Sequence, residues 1–261
     1  MSVDATIKIE IRDLTMSYGS FVVMRDINAQ VRRGEVFIIM GGSGCGKSTL
    51  LRHMIGLKQP AKGDIYYDGT PYWQSDEAVR QEKLRSFGVL FQSGALWSSM
   101  TLAENISLVL GEYTDFPPAE LREIARLKLA LVGLKGFEDY YPAEISGGMC
   151  KRAGLARALA LDPDVLFFDE PSAGLDPISS RNLDELILQL RDSLGATFVV
   201  VTHELASIFT IADNSVFLDP NTRTMRAKGN PRELLKHSTD PAVQQFLTRG
   251  EASAHPSAQT S

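Results

Sequence analysis

The run VFIIMGGSGCGKSTLL constrains the chain more than any other stretch. Val36 to Met40 is short, β-branched and continuously apolar, as expected of a strand buried on both faces. It leads directly into Gly41–Thr49, which matches G-x-x-x-x-G-K-[ST], and then into TLLRHMIGL, where leucines and Met54 recur at helical spacing. Gly41, Gly42, Gly44 and Gly46, with Ser43 and Cys45 between them, let the backbone curl until successive N–H groups face an anion. The helix N-terminus adds its positive end. Lys47 is then placed to reach the β- and γ-phosphates of a nucleotide, and Ser48 to offer a hydroxyl to Mg²⁺, with Thr49 completing the motif. Cys45 reads either as a thiol acidified by nearby helix N–H groups or as a small filler beneath the loop.

Around this unit the chain alternates strands and helices. Ile7, Ile9 and Ile11 share one face of a half-buried strand over 6–11, and a second strand is predicted over 28–31, before the turn Arg33-Gly34-Glu35. The stretch from about 93 to 145 is helical in pattern, with Leu121, Ile124, Leu127, Leu131 and Leu134 on one face, as in an inserted helical subdomain. Ser146 starts a helix that must stop by Asp162-Pro163, and Val165 to Phe168 reads as another buried strand. Asp176-Pro177 opens an amphipathic helix carrying Leu183, Leu186, Ile187, Leu190 and Leu194, closed by Gly195, and the strand TFVVV follows. Such alternation predicts a parallel sheet in a doubly wound α/β layer. DPAVQQFL is a short amphipathic helix that either docks on a partner or caps its own domain. EASAHPSAQTS has almost no large apolar group and is expected to be disordered.

Composition excludes several classes. A net charge of −5 over 261 residues does not supply the clustered cations that nucleic acid demands. The two cysteines, Cys45 and Cys150, form no C-x-x-C pair, so neither a disulfide framework nor a zinc site is suggested, and a reducing compartment fits. The N-terminal segment carries acidic residues where an export signal needs a basic region and an apolar one. The longest apolar runs fall far short of the ~20 residues that cross a bilayer, so a membrane role must come through a partner.

The remaining chemistry sits after strands. VLFFDE ends in Asp169, suited to hold Mg²⁺ through water, and Glu170, suited to orient and deprotonate an attacking water; alone, two such acids are more often a solvated loop than a catalytic pair. The order GGSGCGKST, Gln92, ISGGM, VLFFDE, SAGLD and His203 resembles the ATPase subunits of ABC transporters across nearly the whole chain. That resemblance implies an α/β P-loop NTPase core over 6–248 with a small antiparallel β subdomain and an inserted helical subdomain, followed by a tail over 249–261. It implies ATP and Mg²⁺ as cofactors and a head-to-tail pair of chains, in which ATP on one P-loop is capped by Ser146, Gly147 and Gly148 of the other. Ser146 is also a good N-cap, which puts phosphate at the positive end of its helix. By the same resemblance Gln92, ending the strand VLFQ, touches Mg²⁺ or the water, His203 contacts the γ-phosphate, Asp176 links the two sites and Tyr18 stacks on adenine. His203, Asp176 and Tyr18 each have a plain alternative, a structural histidine, a helix cap and a partly buried sheet tyrosine, and a lone glutamine at 92 would carry little meaning.

The signature departs from the usual pattern in ending with Met149, which cannot donate a hydrogen bond as glutamine does. FQSGALWSSMTLAENI, ISGGMCKRAGLARALA and DEPSAGLDPISS are similar to the Mla and Mce branch of that family, which moves phospholipid or other hydrophobic molecules. This implies a permease dimer in the bacterial inner membrane with the ATPase peripheral on its cytoplasmic face, an Mce-domain lipid-binding protein and a small STAS-domain subunit. Leu96, Trp97 and Met100 are expected either to meet the permease or to pack the helical subdomain. An importer of a small soluble substrate uses the same cassette. A non-transport ATPase of the same family is disfavoured, since the chain has one cassette and no basic surface.

Overall fold

A computed structural model describes residues 6–249. In chain order β1 (Ile7–Tyr18) and β2 (Phe21–Arg32) precede β3 (Val36–Gly41), α1 (Lys47–Met54), β4 (Lys62–Tyr67), β5 (Thr70–Pro71), α2 (Glu77–Arg85) and β6 (Phe87–Leu90). Next come α3 (Leu102–Tyr113), α4 (Pro118–Leu131), a 3₁₀ turn at Pro142–Glu144, α5 (Gly147–Ala158), β7 (Val165–Asp169) and α6 (Pro177–Leu194). β8 (Thr197–Val201), α7 (Leu205–Ile211), β9 (Asn214–Asp219), β10 (Thr224–Lys228), α8 (Pro231–His237) and α9 (Pro241–Leu247) complete the described chain.

β3 is the centre of the six-stranded sheet, ordered β10-β9-β3-β8-β7-β6, in which every pairing but β9 with β10 is parallel. All six of its residues are buried, and they divide by alternation. Val36, Ile38 and Met40 join the core beneath the helices. Phe37 and Ile39 join a second core, shared with an antiparallel sheet of order β2-β1-β4-β5. The phosphate loop therefore leaves from a strand clamped on both faces.

The first two strands run longer than their sequence pattern. Alternation in β1 breaks at Arg12-Asp13, yet Asp13 adopts φ +47°, and the register with β2 shifts between Ile11 and Leu14. This bulge returns Leu14 and Met16 to the buried face, both fully covered, so the strand continues to Tyr18. Ile7 does not share the burial of Ile9 and Ile11. Its neighbour Lys8 is buried instead, reaching Asp68 and Asp164 at 2.8 Å each and tying β1 to the start of β7.

In α4 the apolar stripe and the buried face differ. Leu134 beyond the helix is buried and Leu121 and Ile124 are partly covered, but Leu127 and Leu131 are exposed. Ala125, Leu129 and Val132 are the residues that vanish into the core. The stripe is wider than the face α4 presents to α3 and α5, and small Ala125 takes a place where large side chains would hold the helices apart.

α6 follows its sequence signals closely. Asp176 caps it through the N–H groups of Ile178 and Ser179, both at 3.0 Å, and Gly195 ends it in the left-handed conformation. Leu183, Leu186, Ile187 and Leu190 are buried, whereas Leu194 in the last turn is exposed. α9 packs on its own domain: Val243, Phe246 and Leu247 are buried, and Phe246 meets Phe217 of β9 at 5.2 Å between ring centroids. Of the tail expected to be disordered, residues 250–261 lie outside the described residues.

Candidate active site

The loop between β3 and α1 owes its shape to glycine. Gly44 and Gly46 have φ +73° and +96°, and Gly41 has φ +152°. A Cβ on Gly41 would stand 2.4 Å from the carbonyl oxygen of Leu218 and 2.7 Å from Cys45 Sγ. No side chain caps α1, because Gly46 occupies the cap position, so the first-turn N–H groups remain available to an anion. Cys45 is 1% exposed, and burial pushes its thiol up rather than acidifying it. It is the filler beneath the loop, and its side chain is absent from the cleft wall.

That cleft, of about 620 Å³, is lined by Gly41, Gly42, Ser43, Gly44 and Gly46 to Thr49, together with Tyr18, Gln92, Glu170 and His203. Lys47 folds over the loop, donating to the carbonyls of Gly41 and Gly42 at 3.1 Å each, with Glu170 Oε1 4.0 Å away. Ser48 donates to Asp169 Oδ1 at 2.8 Å, which sets a hydroxyl and a carboxylate side by side beneath the cleft. Glu170 has φ +49°, a conformation that costs a non-glycine residue on the order of 1–3 kcal/mol. The surrounding structure holds it there through its N–H, which donates to the Val201 carbonyl at 2.9 Å. Its carboxylate stands 2.9 Å from His203 Nδ1 through both oxygens.

Gln92 reaches the cleft from a turn, not from a strand end. β6 stops at Leu90, because the chain bends into the turn at Phe91–Gly94. Tyr18 is half exposed at the end of β1, with Lys58 Nζ 3.3 Å from its ring centroid. A hydrogen bond with Thr49 holds its hydroxyl below the usual tyrosine range.

Ser146, Gly147 and Gly148 do not line the cleft of their own chain. Ser146 caps α5, accepting from the Met149 N–H at 3.3 Å, and is exposed along with Gly147. Met149 lies half-buried against the helical-side core. Asp176 is likewise outside the cleft, where its bonds to Ser179 lower its pKa. Trp97 projects 58% exposed, while Leu96 and Met100 are half-buried. Asn105, fully buried in α3, fixes this segment by accepting from the Trp97 N–H at 2.7 Å and donating to the carbonyls of Trp97, Met100 and Thr101.

Sequence reasoning missed Phe21, Val23 and Arg249, which also line the cleft. Phe21 and Val23 lie in the half of β2 that the pattern did not reveal. Arg249 arrives only through the packing of α9, a relation no local pattern carries.

A glycine loop at the end of a central strand and a neighbouring strand ending in acids make this a nucleotide-hydrolysing α/β domain. The chain belongs to the ABC transporter family, whose pattern matches residues 24–173, and is an ABC-type ATPase. It is 44% identical to the probable ribonucleotide transport ATP-binding protein mkl of Mycobacterium tuberculosis over 92% of its length, and spans 66% of that protein. It is 39% identical to the intermembrane phospholipid transport system ATP-binding protein MlaF of Haemophilus influenzae, over 94% of this chain and 91% of that one. Among solved structures, cbiO1 from Clostridium perfringens, part of the transporter complex cbiONQ, superposes with a TM-score of 0.82 at 27% identity, covering 96% of this chain and 98% of that one. The ATP-binding cassette MJ0796, a dimer in a post-hydrolysis state with ADP and Pi, gives 0.76 at 27% identity over 85% and 98%. Cassettes of this family dimerise and pair with permeases. No helix among the described residues is long and apolar enough to cross a membrane.

Proposed function

We propose that this chain is the ATPase of a transporter that moves phospholipid between bacterial membranes, closing as a head-to-tail dimer on ATP to drive a separate permease. The observation that carries this reading is the 39% identity to MlaF across 94% of the chain. The proposed assembly adds an inner-membrane permease, on whose cytoplasmic face the subunit sits, an Mce-domain protein and a small STAS-domain subunit. The exposed Trp97 side chain on a segment pinned by Asn105 suits a permease contact.

Within the cleft, Lys47 exchanges the carbonyls of Gly41 and Gly42 for the β- and γ-phosphates, and Tyr18 stacks on adenine. Ser146, Gly147 and Gly148 reach the phosphates from the partner, in keeping with their distance from their own cleft. Asp176 lies between the two sites. The Ser48 hydroxyl and Asp169 carboxylate are hard oxygen donors already adjacent, which fits Mg²⁺, with Gln92 as a further ligand. When bound, that ion neutralises charge on the phosphate oxygens. Glu170 takes the proton of the attacking water, and His203 keeps its carboxylate in line. The closed dimer is favoured only by as much as ATP binds it better than the open pair. The cassette extends over 6–248, with its helical subdomain at about 93–145.

A second reading is favoured by the 44% identity to mkl, whose name specifies ribonucleotide transport. A soluble substrate then replaces the lipid and the ATPase chemistry is unchanged. Tagged Glu170→Gln protein, purified with ATP from its native membranes, separates the two by mass spectrometry of what accompanies it. A permease, an Mce-domain protein and phospholipid support the lipid reading. A solute permease without Mce-domain protein or lipid overturns it.

A further inference from the structure

Outside the cleft, α5 grips the loop that follows β6. Lys151, 7% exposed, directs its ammonium to the backbone carbonyl of Gln92. Further along the same helix, Arg157 donates to the carbonyls of Ala95 at 2.6 Å and Gly94 at 3.2 Å. Between them lies Gly154, where a Cβ would come within 2.9 Å of Leu90 Cδ1 and 3.0 Å of the Gly94 oxygen. Ala95 itself has φ +52°, so the loop is held in a shape that its own residues disfavour. Three carbonyls of one loop thus converge on two cations of one helix.

Lys151 has no ion-pair partner within 4.0 Å among the described residues. A buried ammonium without a close carboxylate is costly, and burial lowers the pKa of Lys151. The charge that opposes this shift is Glu204, the residue after His203 and the cap position of α7. What a cation gains here, and an apolar side chain of similar length would not, is the bond to the Gln92 carbonyl.

Resting on the hydrolytic roles proposed for the cleft, we infer that Lys151 is a positioning residue for hydrolysis, which fixes the Gln92 peptide to α5. One buried cation thereby sets the glutamine and the helix begun by Ser146 relative to one another. Ser146, the N-cap of α5, stands five residues before Lys151, about 7.5 Å along the helix axis, so a shift of the helix end is passed to the Gln92 backbone. Gln92 lines the cleft, and a displacement of about 1 Å at such a residue is enough to cost up to about 10²-fold in rate.

The test compares Lys151→Met with the wild-type full chain, each in its native membrane complex. Three quantities are read: ATP affinity, kcat at saturating ATP, and amide hydrogen exchange of residues 92–96 and 41–49. The expected result is ATP affinity within about 2-fold of wild type, kcat lower by about 10-fold or more, and exchange at 92–96 faster by about 10-fold with 41–49 unchanged. Wild-type kcat, or unchanged exchange at 92–96, overturns the inference. So does a joint loss of affinity and of protection throughout the chain, which makes Lys151 a support of the fold alone.

Discussion

Glu170 combines a left-handed backbone, a bond from its N–H to β8 and a carboxylate shared with His203. Glutamine keeps the size and the backbone but cannot take a proton. Glu170→Gln should therefore bind ATP with near-normal affinity while kcat falls by on the order of 10²-fold or more, measured by phosphate release against nucleotide titration. Near-normal turnover removes the role of base from Glu170. At Gly41 the constraint is steric, because the atom nearest a new Cβ is backbone oxygen of β9, which cannot swing aside. Gly41→Ala should lower stability by about 1–3 kcal/mol and the midpoint of thermal unfolding by several degrees, with ATP binding lost. These two residues differ in legibility. The glycine is demanded by the spacing of the loop motif, whereas the strained backbone of Glu170 has no counterpart in sequence, since nothing local forces a glutamate to φ +49°.

At the scale of elements, sequence was a good guide wherever a local device ends or starts a segment. Asp176 and Gly195 bracket α6, Ser146 begins α5, and β3 reads as doubly buried from five apolar residues. It failed where contact between elements decides. β1 looked finished at Ile11 because a bulge reverses the facing of the residues beyond it, and α4 turned inward a face that the stripe of Leu121, Ile124, Leu127 and Leu131 does not mark. The home of α9 was open for the same reason. Its packing makes a definite forecast: Phe246→Ala, which empties a site 4% exposed, should cost about 3–5 kcal/mol in denaturant unfolding of the single chain. An unchanged midpoint together with weakened ATP-dependent dimerisation would instead assign the helix to a partner.

Across the whole molecule, one sheet divides two cores, and the helical-side core contains a carboxylate out of water. Asp184 on α6 accepts from Ser207 Oγ at 2.8 Å, and burial, with Glu204 adding to it, raises its pKa to about 6. The native state therefore holds this proton over a range where the unfolded chain, near 3.8, has released it. Its contribution to stability is present below the unfolded value and is lost as pH rises through about 6, a change of about 3 kcal/mol. Asp184→Asn should raise the unfolding temperature at pH 7.5 and flatten the fall in stability between pH 4 and 6. An equal fall in both proteins places the titration elsewhere. Arg249, which lines the nucleotide cleft, has a practical use. Cys45 is sealed under the loop, so once Cys150 is replaced by serine an Arg249→Cys substitution offers a single accessible thiol. A fluorophore attached there would signal nucleotide arrival optically, in real time, without any change to the loop, the acids or the histidine.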